Sequence, residues 1–206
     1  MRAVRSKPVE RGTSADALPS RGANLFRLGL VLALFAAIVV AVHGAGLRIQ
    51  HTPSLPMGLY RTIDGTPDRG TIGMWCLPPA TAAAGRALGY LAAGSCAAGT
   101  EPLGKIVLGV AGDTIRYGAA GVVLNGRAIP NTRPLARDSR RRPLAHVPFD
   151  TYVLRAGQVW LWSPFSSGSW DSRYFGPIGT SGLVSLVMPI WTTQYVVPCD
   201  LSFSLP

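Results

Sequence analysis

Ser54 and Lys105 are the two side chains of this sequence best placed to build a hydrolytic site. Ser54 lies in Thr52-Pro53-Ser54-Leu55-Pro56-Met57-Gly58-Leu59-Tyr60-Arg61, just after the one long hydrophobic segment. Pro53 fixes its own φ and Pro56 biases Leu55 towards extended geometry, so the serine has restricted backbone on both sides. A hydroxyl held this way suits a nucleophile; the same residues would also serve as a plain turn joining two parts of the chain. A serine hydroxyl is a weak nucleophile at neutral pH and needs a base beside it. The histidines suit that role poorly: His43 is inside the hydrophobic segment, His51 is too near Ser54 along an extended chain, and His146 follows an arginine-rich loop without a carboxylate motif. Lysine is an alternative base, provided that it is neutral. A free lysine with pKa near 10.4 is neutral in only about one molecule in 2,500 at pH 7, so its site must lower that value by roughly 3. Burial against apolar walls does this by penalising the charged form. Lys105 heads Ile106-Val107-Leu108, where such walls are at hand, although a lysine on an exposed edge strand would guard against aggregation instead.

These residues need a scaffold. The segment before Ser54 opens with a polar, basic leader, residues 1–27, carrying Arg2, Arg5, Lys7, Arg11, Arg21 and Arg27 against Glu10 and Asp16. Residues 28–47 are almost wholly apolar and, at about 1.5 Å per residue, reach the thickness of a hydrocarbon core. They are expected to form a transmembrane helix, the alternative being a cleaved secretory signal ending near His43-Gly44-Ala45-Gly46. With an uncleaved anchor, the basic leader stays in the cytoplasm and residues 48–206 form one domain outside it. The net charge of +10 raises nucleic acid as a partner, but no helix-turn-helix, zinc-finger or RNA-binding signature is present, which argues against it.

The outer domain reads as mainly β. With 24 glycines and 17 prolines, the chain favours short strands and turns over long helices. Strands are expected at 71–77, 105–110 and 183–187, and residues 80–91 are alanine-rich enough for a short helix or an ordered loop. Asn125-Gly126 between apolar arms predicts a hairpin across 122–129. A second hairpin is expected where Tyr152-Val153-Leu154 and residues 158–162 flank Arg155-Ala156-Gly157. Such strands suggest antiparallel sheets folded into a partly open barrel.

Three boxes carry a family resemblance. Lys105-Ile106-Val107-Leu108-Gly109-Val110-Ala111-Gly112-Asp113 resembles the lysine box of the type I signal peptidases, and Ser169-Trp170-Asp171-Ser172-Arg173-Tyr174-Phe175-Gly176-Pro177 resembles their third box. Ser54-Leu55-Pro56-Met57-Gly58-Leu59-Tyr60 is most similar to the nucleophile box of the TraF-type conjugative-transfer peptidases, Ser-x-Pro-x-Gly-Leu-Tyr. General signal peptidases usually carry Ser-Met-x-Pro there, an Arg after the lysine and a Pro before Gly-Asp, where this chain has Ser-Leu-Pro, Ile106 and Ala111. The resemblance implies a signal-peptidase-like antiparallel β domain in which Ser54 attacks the scissile carbonyl and Lys105 is the base. It further implies that Ser169 orients the lysine amine and that Thr52 contributes an oxyanion-hole hydroxyl. Asp171 is implied to be functional, and to form with Arg173 an ion pair beside the dyad.

The function that follows is a single-pass endopeptidase of the bacterial inner membrane, facing the periplasm, that processes a membrane-inserted conjugative pilin precursor or related secreted protein. TraF-type enzymes can pass the acyl group to the substrate's own amino terminus and so cyclise it. Conjugation or type IV secretion components and inner-membrane lipid are the expected partners, with no cofactor and no metal. The alternatives are a general signal peptidase and a non-catalytic, membrane-anchored component of a secretion channel. Cys76 and Cys96 bracket a loop of about 20 residues and suit a disulfide in an oxidising compartment, leaving Cys199 odd. The arginines between Arg127 and Arg142 form a basic loop, read either as a solvated face or as a contact for anionic lipid.

Overall fold

The computed structural model describes residues 21–193. The first unit, which ends at Val42, holds all but the last two residues of helix α1 (Arg21–Gly44), whose segment Asn24–Val42 has a mean hydropathy of 2.7 and is long and apolar enough to cross a membrane, a property common to anchors and signal sequences. Among the described residues the helix already includes Arg21 to Arg27, so it reaches into the basic leader ahead of Leu28. It stops at Gly44 instead of Leu47: Gly46 takes a φ of 68° and the chain turns out of the helix.

The second unit begins at His43. Its elements are β1 (Leu47–Gln50), β2 (Gly58–Ile63), β3 (Ile72–Trp75), α2 (Pro79–Ala87), β4 (Leu103–Gly109), β5 (Thr114–Gly118), β6 (Gly121–Leu124), β7 (Arg127–Ala128), β8 (Thr151–Val153), β9 (Gln158–Trp162), α3 (Ser172–Phe175), β10 (Ile178–Gly179) and β11 (Leu183–Thr192). Seven strands form one sheet in the order β1-β2-β11-β3-β4-β9-β10, and four form another in the order β7-β6-β5-β8. Every pairing is antiparallel, so the unit is the mainly β, antiparallel architecture that the strand-and-turn pattern predicts.

Local sequence explains most elements. Asn125 and Gly126 take φ of 48° and 85°, the left-handed pair that a two-residue hairpin turn between β6 and β7 requires. Pro79 opens α2 at a position where a missing N–H costs nothing. β11 runs five residues past Val187 because β2 pairs with it alone there, and a bulge between Pro189 and Trp191 absorbs the proline.

The second expected hairpin does not form. β8 pairs with β5 in the small sheet, whereas β9 pairs with β4 and β10 in the large one. Leu154 holds the divergence: its N–H donates to the Asp113 carbonyl and its own carbonyl accepts from Gly112, so the chain is clamped to the β4–β5 turn and crosses between sheets. The turn at 155–157 is therefore a corner.

β4 is the strand that matters most for the site. It lies between β3 and β9, and every residue from Gly104 to Gly109 is buried. Ile106 and Leu108 pack with Trp160, Ile115 and Leu124 into a core shared by the two sheets, while Val107 joins Trp75, Leu161 and Ile178 in a second cluster. A strand buried on both faces carries a near-continuous apolar run. An edge position for Lys105 is thereby excluded. A disulfide joins Cys76, just after β3, to Cys96 in the loop leading to β4. Cys199 lies outside the described residues.

Candidate active site

Ser54 sits in a turn fixed from several sides. The Leu55 N–H reaches back to the Thr52 carbonyl at 3.5 Å, and the buried Leu55 side chain plugs the turn into the core. Tyr60 Oη donates to the Pro56 carbonyl at 2.8 Å, and Ser163 Oγ donates to the Ser54 carbonyl at 2.5 Å. Leu55 and Tyr60 are thus packing residues rather than membrane-facing ones, and Met57 is the exposed member of the box. Gly58 has its own reason: with φ of 152°, a Cβ there would lie 2.1 Å from the Trp191 carbonyl oxygen of the paired β11.

Lys105 is 1% exposed, and its Nζ donates to the Gly104 carbonyl at 3.2 Å. Burial pushes its pKa down to about 8; Asp171 opposes this and Arg173 assists it. Ser54 and Lys105 line one cavity of about 290 Å³, together with Thr52 and Ser169 and with Met74 and Trp170 on its walls. Among the described residues no hydrogen bond links Ser54 to Lys105. Ser54 Oγ instead lies 3.2 Å from Thr52 Oγ1. His51 is exposed at the cavity's rim and makes no hydrogen bond to Ser54, while His146 stacks on Phe149 at 4.3 Å, away from the cavity lining.

In the third box the expected Asp171–Arg173 ion pair forms, and the resting position of Ser169 differs from its implied bond to the lysine amine. Ser169 does not bond the lysine amine: its Oγ is buried without any partner in the same cavity, and Nζ has turned to the Gly104 carbonyl instead. Asp171 does not line the cavity. It caps α3 and forms a two-pronged ion pair with Arg173, Nε to Oδ1 at 2.8 Å and Nη2 to Oδ2 at 2.9 Å, with both side chains buried. The guanidinium also donates to the carbonyls of Ser169 (3.0 Å) and Arg133 (3.1 Å). The pair therefore braces the loop carrying Ser169 from behind.

Residues that sequence reading overlooked include Ser163, Gln50 and Tyr90. Ser163 follows β9 as an ordinary-looking serine, and nothing local marks it as the tether of the nucleophile turn. Tyr90 lines the cavity and donates to Asp138 at 2.7 Å, and Asp138 also accepts from Arg142. The basic loop thus borders the cavity wall.

The amino-acid pattern of the signal peptidases of family S26 matches residues 23–192. This chain belongs to that family. It is 40% identical over 171 residues to a probable conjugal transfer protein TraF of Sinorhizobium fredii, covering 80% of this chain and 88% of that one. A plasmid transfer protein TraF of Escherichia coli is 35% identical over 168 residues, covering 80% and 94%. A signal peptidase I structure from Enterococcus faecalis V583 aligns at a TM-score of 0.37 and 16% identity over 61% of this chain and all of that one.

Burying Lys105 is costly to the fold. The unfolded chain holds the Lys105 proton up to its ordinary pKa of 10.5, and the folded chain only up to about 8. Below pH 8 the full cost of burying the ammonium is present, about 3 kcal/mol, and stability rises as pH climbs from 8 towards 10.5. Lys105→Met keeps the length of the side chain and removes the charge. Its melting temperature at pH 7 is expected to exceed wild type by roughly 5–10 °C. The gain should shrink as pH passes 8. Thermal melts of both proteins across pH 6 to 10 check this, and equal melting temperatures at pH 7 would rule out a strained ammonium.

Proposed function

We propose that this chain is a membrane-anchored serine endopeptidase in which Ser54 is the nucleophile and Lys105 the general base, acting on a conjugative pilin precursor. The observation that carries the reading is the Lys105 amine: fully buried, held by a single backbone carbonyl, lowered to a pKa of about 8 and opening on the cavity that Ser54 also lines. At pH 7 such a lysine is neutral in about one molecule in ten, enough to serve as a base. The α1 segment supports an anchor in the bacterial inner membrane with the second unit in the periplasm, where the Cys76–Cys96 disulfide is at home. The conjugal and plasmid transfer names of the relatives support a place in conjugation, and the likeness of the Ser54 box to the TraF-type peptidases supports a pilin precursor as the substrate.

In the reaction, Nζ of Lys105 moves from the Gly104 carbonyl towards Ser54 and takes the hydroxyl proton as Oγ bonds to the scissile carbonyl carbon. The Thr52 hydroxyl and the Ser54 N–H donate to the oxyanion. Collapse of the tetrahedral adduct breaks the peptide bond, and the leaving amine takes the proton from Lys105. Water, or the substrate's own amino terminus, then attacks the acyl carbon and gives a proton to Nζ of Lys105; the ester bond to Ser54 Oγ breaks, and the serine takes that proton back as a linear acid or a cyclic product leaves. Ser169, whose buried hydroxyl has no partner among the described residues and lines the same cavity, orients Nζ once it has turned. Intact-mass measurement of the pilin made with and without this protein tests the proposal. A shortened pilin only in its presence is expected, with the linear and cyclic forms differing by one water, and an identical mass in both cultures would overturn it.

A further inference from the structure

Gln50 ends β1, an edge strand of the large sheet, and pairs across to Gly58. Its Nε2 lies 2.5 Å from Thr52 Oγ1 and 3.2 Å from the Thr52 carbonyl oxygen. The second contact settles which end of the amide faces Thr52, because a carbonyl oxygen only accepts and its partner must be the amino group. Thr52 Oγ1 therefore accepts from Gln50, and its own proton points elsewhere. Ser54 Oγ, 3.2 Å away, is the acceptor within reach.

We propose that Gln50 is a positioning residue that holds the Thr52 hydroxyl rotor with its proton facing the reacting centre. In the resting site that proton is donated to Ser54 Oγ, which leaves the serine's own proton free for the base. As Ser54 bonds to the carbonyl carbon, the Thr52 proton turns to the developing oxyanion, while Gln50 remains on the opposite lone pair. Without Gln50 the rotor is free to turn its proton to other acceptors, and the oxyanion loses a pre-aimed donor. This inference rests on the peptidase reading of Ser54.

The test uses the full chain in detergent and the release of p-nitrophenolate from p-nitrophenyl butyrate, with Ser54→Ala as the blank. Gln50→Leu is expected to lower kcat about tenfold with KM nearly unchanged, and Thr52→Val to lower it about 100-fold. In the Thr52→Val background the Gln50→Leu change should have no further effect, since no hydroxyl remains to orient. Gln50→Glu, of the same shape but with an acceptor in place of the donor, should capture the Thr52 proton and fall below Gln50→Leu at pH 8. Melting temperatures within about 2 °C of wild type would exclude misfolding as the cause. Wild-type rates in Gln50→Leu and Gln50→Glu, or a Gln50→Leu loss that persists in full on Thr52→Val, would overturn the role of Gln50 while leaving the nucleophile in place. Equal release by wild type and Ser54→Ala would instead overturn the peptidase reading, and the role of Gln50 with it.

Discussion

Ser54→Ala and Lys105→Ala are each expected to abolish precursor processing, by at least about 10³-fold, and the double variant to be scarcely worse than either alone. The reason is that nucleophile and base act on one proton: with either missing, the other has nothing to do. Lys105→Arg should fail as completely, because a guanidinium stays charged at any working pH and cannot accept the serine proton. His51→Ala and His146→Ala should keep most of the activity, although His51 borders the cavity. Processing by wild type should climb with pH and level off above about 8, where the buried amine has lost its proton, and stand near a tenth of its maximum at pH 7. Cleavage of the precursor, followed by gel or mass across the variant series, gives the answer. Full activity in Lys105→Ala would sink the dyad. So would a profile midpoint between 6 and 7 that vanished in His51→Ala, since that would hand the proton to the imidazole.

Much of this architecture is legible in the sequence because the signals are local. Asn125-Gly126 demands left-handed backbone, Pro78-Pro79 stops a strand and starts a helix, and the apolar run after Lys105 marks a buried strand. Ser54, Lys105, Thr52 and Ser169 line one cavity. What could not be read depends on pairing at long range. Residues 151–162 look like a hairpin because each arm has the right alternation, yet the partner of each arm lies in a different sheet, fixed by the backbone bonds of Leu154. Ser163 reaches Ser54 across 109 positions through one hydroxyl-to-carbonyl bond, and no residue pattern announces such a contact. Gln50 was missed for a related reason. An amide at the end of an edge strand usually faces water, and no residue pattern announces that this one turns back onto the threonine two positions on.

Breaking the Asp171–Arg173 pair should be the largest single blow to stability. Asp171→Ala leaves a guanidinium with 1% of its side-chain surface in contact with solvent and no counter-charge, and removing one partner of such a pair costs about 3–5 kcal/mol. The Arg133 and Ser169 carbonyls still accept from it, which offsets a part of that loss but supplies no negative charge. Removing both charges, as Asp171→Ala with Arg173→Met, should recover most of the stability, because the cost lies in the orphaned ion rather than in the missing attraction. Lys105 gives a second readout. Asp171 raises its pKa and Arg173 lowers it, so whatever fraction of Asp171→Ala remains folded should show its activity midpoint moved to lower pH than wild type. The double variant, with both influences gone, should return the midpoint towards that of wild type. Chemical denaturation of the three proteins measures the first effect and the pH dependence of cleavage the second. An Asp171→Ala variant as stable as wild type would show that the pair contributes nothing to the fold, and an unmoved midpoint in that variant would show that its charge does not reach the lysine.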